Sequence, residues 1–321
     1  MKAIIQDRYG RARDVMHLGD MDRPTPDGDQ VLVKVHAAGV DRGALHLMTG
    51  EPRLLKLGFG LRKPRTPVRG REFAGVVEQV GPESTANVGD RVYGIAGGAF
   101  AEYLCASPKK YVPMPSALSF VDAAALPISG VTALQAIRDH AKITAGQKVL
   151  IIGASGGVGS IAVRIAVDAG AVVTAVCSEA KAAYVEALGA KEVLDYRKSW
   201  TGISGFDAIL DIGGGNALSV LRRMLTRSGV LVIVGAETGG PIFGGIDRQL
   251  RATMLSPFVK QRLIMQFAKE ARGDIEELGR MATAGTFENI VTRTYPLSET
   301  ATALEDLANG AISGKAVIEV S

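Results

Sequence analysis

The chain has 321 residues, 47% of them hydrophobic and 22% charged, with a net charge of +4. That length suits two hydrophobic cores, and the composition excludes a disordered, fibrous or disulfide-stapled protein. Two cysteines, Cys105 and Cys177, cannot build a disulfide framework, and so small a net charge gives no footing by itself for nucleic-acid binding.

The opening MKAIIQDRYG alternates as a strand does and lacks the apolar core and small-residue cleavage site of a signal peptide. No apolar run reaches the ~18 residues needed to span a bilayer. The sequence therefore predicts a cytoplasmic protein with reduced thiols. Up to about residue 111 the apolar runs are short (31–35, 74–80, 90–93) and broken by Gly and Pro, which predicts antiparallel β-structure.

From about residue 121 the texture changes. Helix is predicted over 121–141, 159–169 and 217–225, and strand over 148–152, 171–176, 192–195, 207–210, 230–234 and 253–258. Buried parallel strands joined by crossover helices fit this alternation, giving a doubly wound α/β sheet. After two helices ending near 284 come a strand over 289–295, a helix with Ser298 as N-cap and a last strand over 316–320. This tail reads as a partner for the first domain.

Val149-Leu150-Ile151-Ile152 runs into Gly153-Ala154-Ser155-Gly156-Gly157-Val158-Gly159 and then an amphipathic helix. Glycines there let phosphate oxygens approach backbone N–H groups at the positive end of a helix, so Ser155, Gly156, Gly157 and Val158 are predicted to hold a dinucleotide pyrophosphate. An NAD site carries an acid at the end of its second strand to hold the ribose hydroxyls. Here that strand ends Val176-Cys177-Ser178. Ser178 can donate to a 2′-phosphate, and Lys181 supplies positive charge, which favours NADP(H). The competing reading is that Ser178 caps the next helix, Lys181 is solvated, and Glu179 repels a phosphate.

Gly70-Arg71-Glu72-Phe73-Ala74-Gly75, Gly89-Asp90-Arg91-Val92, Ala125-Leu126-Pro127, the glycine turn, Leu188-Gly189-Ala190 and Gly314-Lys315 follow one another in order. In these motifs nearly the whole chain resembles the medium-chain dehydrogenase/reductases, specifically the zinc-free, zeta-crystallin-like quinone oxidoreductases. The resemblance implies a Rossmann sheet inserted into a GroES-like β-rich catalytic domain, with 1–121 and 286–321 catalytic and 122–285 NADP-binding. It implies a homodimer joined through the 253–258 strand. It sets Ser178, Lys181 and Tyr196 around the adenosine 2′-phosphate, and Thr132, Gly235 and Lys315 near the rest of the cofactor.

Zinc-dependent relatives of this family hold their metal at positions that read Asp41, Arg71 and Ile128 here. Arginine has no lone pair for zinc and Ile128 has no donor, so no metal is expected, and Asp41 and Arg71 are predicted to form an ion pair instead. The family's Asn and Tyr near the nicotinamide are replaced by Asp41 and His46. His46 is the preferred proton or hydrogen-bond donor, with a structural role as its alternative. The resemblance thus implies hydride transfer from NADPH to a quinone, enone or aldehyde. Alternatives are an NADPH-binding protein whose catalytic residues have drifted, and an enoyl-thioester reductase. No nucleophile elbow or metal-binding His pair supports a hydrolase.

Between Glu51 and Glu72 lie Arg53, Lys56, Arg62, Lys63, Arg65, Arg69 and Arg71 without an acid, interleaved with Leu54, Leu55, Leu57, Phe59 and Leu61. Because it follows the His46 segment, the stretch reads as a lid or wall of the substrate pocket ahead of a nucleic-acid site, with a membrane-surface contact and a solvated face with buried leucines as the other readings; neither a nucleic acid nor a membrane is expected as a partner.

Overall fold

The computed structural model describes residues 1–235, 252, 254–256 and 259–320. The chain divides into two compact units, Met1–Val131 with Glu270–Ser321, and Thr132–Lys269.

The first unit opens with β1 (Lys2–Gln6), α1 (Ala12–Val15) and β2 (Met16–Asp20), the two strands pairing antiparallel. Its main sheet is built on β3 (Val31–Val40), whose apolar residues are buried on both faces, with Lys34 exposed and His36 half-buried. After α2 (Arg42–Thr49) and α3 (Lys56–Phe59), β4 (Glu72–Val80) pairs antiparallel with β3, and the register sets Glu72 opposite Gly39. A Cβ on Gly39 would lie 2.4 Å from Glu72 Oε2 and 2.5 Å from Ala124 O, so only glycine leaves room for the carboxylate. β5 (Arg91–Ile95), β6 (Tyr103–Ala106) and β7 (Tyr111–Pro113) complete this part. The core gathers Val33, Phe73, Val77, Phe100 and Leu104, each such side chain stabilising the fold by roughly 1.5–3 kcal/mol.

The helix expected over 121–141 is three pieces: α4 (Phe120–Ala124), α5 (Pro127–Gln135) and a π-helical turn, Ala136–Ala141. Pro127 begins α5, where a missing N–H costs nothing, and thereby interrupts the run.

The second unit is a parallel six-stranded sheet. Its strands are β8 (Lys148–Ile152), β9 (Val172–Cys177), β10 (Glu192–Asp195), β11 (Phe206–Asp211), β12 (Leu225–Ile233) and β13 (Arg262–Met265). Helices α6 (Gly157–Asp168), α7 (Ala182–Ala187) and α8 (Leu218–Met224) are among its connections. The order β10-β9-β8-β11-β12-β13 is the doubly wound Rossmann arrangement, whose ligand side is the carboxyl end of the strands. Leu150, Ile152, Val176, Ile209 and Leu231 form its core. The sixth strand is not the one expected over 253–258: Met254 and Leu255 are helical and Ser256 lies in a 3-10 turn, while 253, 257 and 258 fall outside the described residues. A short apolar run has no period that separates strand from helix.

The chain then returns to the first unit with α9 (Arg272–Thr283), β14 (Val291–Pro296), α10 (Thr300–Ala308) and β15 (Lys315–Glu319). Tyr93 Oη donates to Ile275 O at 2.6 Å and holds α9 there. The expected domain limits at 121/122 and 285/286 therefore lie inside the first unit. Ser298 is not the N-cap expected; it sits within a 3-10 turn, Leu297–Glu299, that precedes α10. β15 lies between β14 and β3, closing the order β14-β15-β3-β4-β5-β7.

Candidate active site and cofactor cradle

In the second unit β8 delivers the glycine turn to the start of α6. Gly156 is the N-cap residue, extended at φ −84° and ψ 175°, and no side chain caps the helix. Its first-turn amides thus meet the requirement for an anion. The turn is tightly stacked: a Cβ on Gly159 would lie 2.1 Å from Gly153 O, and one on Gly153, at φ +85°, would lie 2.8 Å from Gly213 N. Ser155, Gly156, Gly157 and Val158 make this cradle, which fits a pyrophosphate.

Ser178 is the first residue past β9. It holds N-cap geometry for the 3-10 turn Glu179–Lys181, yet its side chain makes no capping bond. The capping alternative is therefore not realised, and the hydroxyl is left for another partner. Register pairs Asp195 with Cys177, and Tyr196 N donates to Cys177 O at 3.0 Å, which brings Tyr196, 54% exposed, to the same strand edge. Lys181 stands one turn on, its N–H bonded to Ser178 O at 2.9 Å. Glu179, the acid that would repel a phosphate, is paired with Lys198 at 3.2 Å. Ser178, Glu179, Asp195, Lys198 and Trp200 line a hollow of about 330 Å³.

Gly235 follows β12, its N–H bonded to Asp211 O at 3.3 Å, and a Cβ there would lie 2.0 Å from Ile212 O. Thr132 O accepts from Gln266 Nε2 at 2.7 Å.

In the first unit the candidates are brought to different partners from those expected. Asp41 caps α2, Oδ1 accepting from Ala44 N at 3.0 Å, while Oδ2 is buried without a hydrogen-bond partner. Arg71 pairs with Glu270, whose other oxygen accepts from Lys110 Nζ at 2.8 Å. The Asp41–Arg71 pair is thus corrected: Glu270 takes the guanidinium and the helix cap takes Asp41. Burial alone would raise the Glu270 carboxyl, but Lys110 and Arg71 outweigh it and hold it below its ordinary value. His46, on α2, meets Glu51 O through Nδ1 at 3.0 Å. A carbonyl only accepts, so Nδ1 carries the hydrogen in this contact.

Lys315 is 1% exposed, and each of its three ammonium hydrogens has an acceptor: Glu72 Oε2, Val40 O at 3.2 Å and Ser129 Oγ at 3.1 Å. Glu72 Oε1 accepts from Ile128 N at 2.7 Å and Ser129 N at 3.3 Å. Burial pushes the Glu72 carboxyl up, against the pull of Lys315, and the charge of Asp41 adds to the rise. Lys315, expected beside the cofactor, is the buried counter-ion of Glu72. Among the described residues no three His, Cys, Asp or Glu side chains gather as they would around a metal ion.

Comparison with known proteins decides what this frame is. Residues 27–116 match the alcohol dehydrogenase GroES-like domain and residues 188–318 match the zinc-binding dehydrogenase family. The chain is 32% identical to the quinone oxidoreductase of Mus musculus, covering 98% of this chain and 96% of that protein. The chain belongs to the quinone oxidoreductases of the medium-chain dehydrogenase/reductase superfamily. The quinone oxidoreductase structure from Coxiella burnetii superposes with a TM-score of 0.84 at 29% identity, covering 100% of this chain and 99% of that one. The enoyl reductase CurK superposes with a TM-score of 0.83 at 26% identity, each chain fully or nearly fully covered.

Two features of this oxidoreductase escaped sequence reasoning. The first is a second glycine loop, Gly213 to Gly215, at the end of β11, with Gly214 N bonded to Asp211 Oδ1 at 3.1 Å and Gly213 against the first turn. Its signal was the glycine run directly after a buried strand ending in Asp211. The second is Lys198 beside Ser178, which the cluster Arg197-Lys198 directly after Tyr196 could have flagged.

Proposed function

We propose that this oxidoreductase is a zinc-independent reductase that uses NADPH to reduce quinones or α,β-unsaturated carbonyls. The observation that carries the reading is the end of β9: Ser178 stands where an NAD site has an acid, and its hydroxyl makes no capping bond. Ser178 and Lys181 would take the 2′-phosphate, with Lys198 close by and Tyr196 against the adenine side. Ser155, Gly156, Gly157 and Val158 would hold the pyrophosphate, and Thr132 and Gly235 the nicotinamide half.

The bound nicotinamide would supply a hydride. What the chain must add is a donor for the charge that develops on oxygen, and a proton. His46 is the proposed source, its ring oriented by the Nδ1 contact with Glu51 O. Asp41 bears an oxygen without a partner in the same segment and would orient what binds there. Arg71, neutralised by Glu270, is proposed only to shape this region. Arg71 and Ile128 at the positions of the zinc ligands support a reaction without metal.

A second reading, reduction of an enoyl thioester, has its support in the likeness to CurK. The test is oxidation of NADPH and NADH against quinones, enals, aldehydes and an enoyl thioester, with metal content measured on the same sample. The expected result is at least about tenfold higher kcat/KM with NADPH, turnover of quinones or enals, and no stoichiometric zinc. Preference for NADH, or one zinc per chain, would overturn the reading.

A further inference from the structure

Four large apolar side chains, Leu54, Leu57, Phe59 and Leu61, stand 42%, 64%, 46% and 69% exposed within one short stretch of the first unit. Lone exposed leucines are ordinary, but a contiguous patch marks a contact surface. The backbone that carries them is anchored. Tyr9 Oη donates to Gly60 O at 2.6 Å, the Lys56 ammonium lies 4.6 Å over the Tyr9 ring, and Gln6 N donates to Pro67 O at 2.8 Å. The frame faces inward and the apolar side chains face water.

The charges within this stretch are equally one-sided. Arg53, Arg62, Lys63 and Arg65 are exposed, Lys56 is half-buried, and no acid occurs between Glu51 and Glu72. Among the described residues none of the five is ion-paired, whereas other surface cations find carboxylates, as in Lys2–Asp20, Arg23–Glu78 and Arg272–Glu276. Beneath them Arg69, 4% exposed, donates through Nε to Gln6 Oε1 at 2.7 Å and leaves Nη2 without a partner.

We propose that this face docks the protein onto an anionic phospholipid bilayer, with Leu57, Phe59 and Leu61 entering the boundary between headgroups and acyl chains and the cations meeting lipid phosphates. Apolar insertion combined with unpaired Lys and Arg is the combination a charged membrane surface rewards. RNA would use the cations, but among the described residues of the stretch Phe59 is the only exposed ring to stack on, the Tyr9 ring being half-buried beneath Lys56. A second copy across a two-fold axis would set five unpaired cations against themselves. The proposal is independent of which cofactor or substrate the protein uses.

The test is flotation of the full chain with phosphatidylcholine vesicles, alone or with ~30% phosphatidylglycerol, at low and high salt. Three further proteins are compared: the triple variant Leu57→Ser, Phe59→Ser, Leu61→Ser; the triple variant Arg62→Ser, Lys63→Ser, Arg65→Ser; and Leu57→Trp. The expected result is at least about tenfold more parent protein on anionic than on neutral vesicles, reduced about tenfold in either triple variant with unchanged Tm. Emission of Leu57→Trp should shift to the blue with anionic vesicles, the buried Trp200 giving a background that the parent protein measures under the same conditions. Equal partition of the parent onto both vesicle types, variants that bind like the parent, or no emission shift would each overturn the proposal. So would tighter binding to single-stranded RNA than to vesicles, or self-association that the apolar variant abolishes.

Discussion

Glu72 and Lys315, 243 positions apart in sequence, form a buried ion pair at 0% and 1% side-chain exposure. The pairing arises because β4 and β15 both flank β3, so the first residue of each strand reaches the same end of the sheet. Removing one member leaves a charge in the core without its counter-ion. Lys315→Met should lower unfolding free energy in urea by about 3–5 kcal/mol. Glu72→Gln with Lys315→Met should recover at least half of that loss, since Gln still accepts from Ile128 N. Losses that simply add in the double variant would show that the pair is not coupled.

Glu270 sets an acid limit on stability. Its carboxyl is held below the ordinary 4.5 by Lys110 and Arg71 despite burial. A depressed folded-state pKa means that the stabilisation is complete above the unfolded value and disappears as pH falls through the folded one. Glu270→Gln should therefore lower Tm near neutrality and flatten its decline below about pH 4.5. Parallel Tm curves for parent and variant from neutral to acid pH would remove Glu270 from this role.

What was legible in the sequence was local. The strand, glycine turn and helix from Val149 to Asp168 lie where the apolar run and glycines predict them, because turn geometry and period are properties of adjacent residues. Partners distant in sequence were not legible. Nothing near Arg71 announces Glu270, and nothing near Lys315 announces Glu72. The sixth strand was misassigned for a related reason, since neither 253–258 nor 262–265 carries a pattern that excludes the other.

If Ser178 and Lys181 hold a 2′-phosphate, each contributes a charge-assisted hydrogen bond that NADH cannot make. Ser178→Ala and Lys181→Ala should each raise KM for NADPH by at least about tenfold and leave kcat/KM for NADH unchanged. Lys198→Ala should also raise KM for NADPH, by an amount limited by the share of Lys198 that Glu179 holds. Equal losses with both cofactors would point to a structural role for the pair.

His46 separates catalysis from scaffolding. As a proton donor, its replacement by Ala should lower kcat by about a hundredfold, with KM for NADPH unchanged. As an anchor for Glu51 alone, His46→Asn, which can still donate to Glu51 O, would keep kcat at the parent level.

The glycine turn offers two substitutions that separate stability from cofactor binding. At Gly159 an added Cβ lies 2.1 Å from Gly153 O and 2.8 Å from Ala154 Cα, both backbone atoms that cannot swing aside. α6 must shift, so Gly159→Ala should cost about 1–3 kcal/mol in unfolding free energy and weaken NADPH binding as a consequence. At Gly156 φ is −84° and the nearest atom to an added Cβ is Gly153 O at 3.6 Å, an ordinary contact. Gly156→Ala should therefore keep the parent's unfolding midpoint. If the turn holds the pyrophosphate as proposed, the substitution should nevertheless reduce NADPH affinity by at least about tenfold, because the methyl group would occupy the space of the phosphate oxygens. Calorimetric titration with NADPH and urea unfolding on both variants decide it: a Gly156→Ala protein that binds NADPH like the parent would remove this turn from the cofactor site.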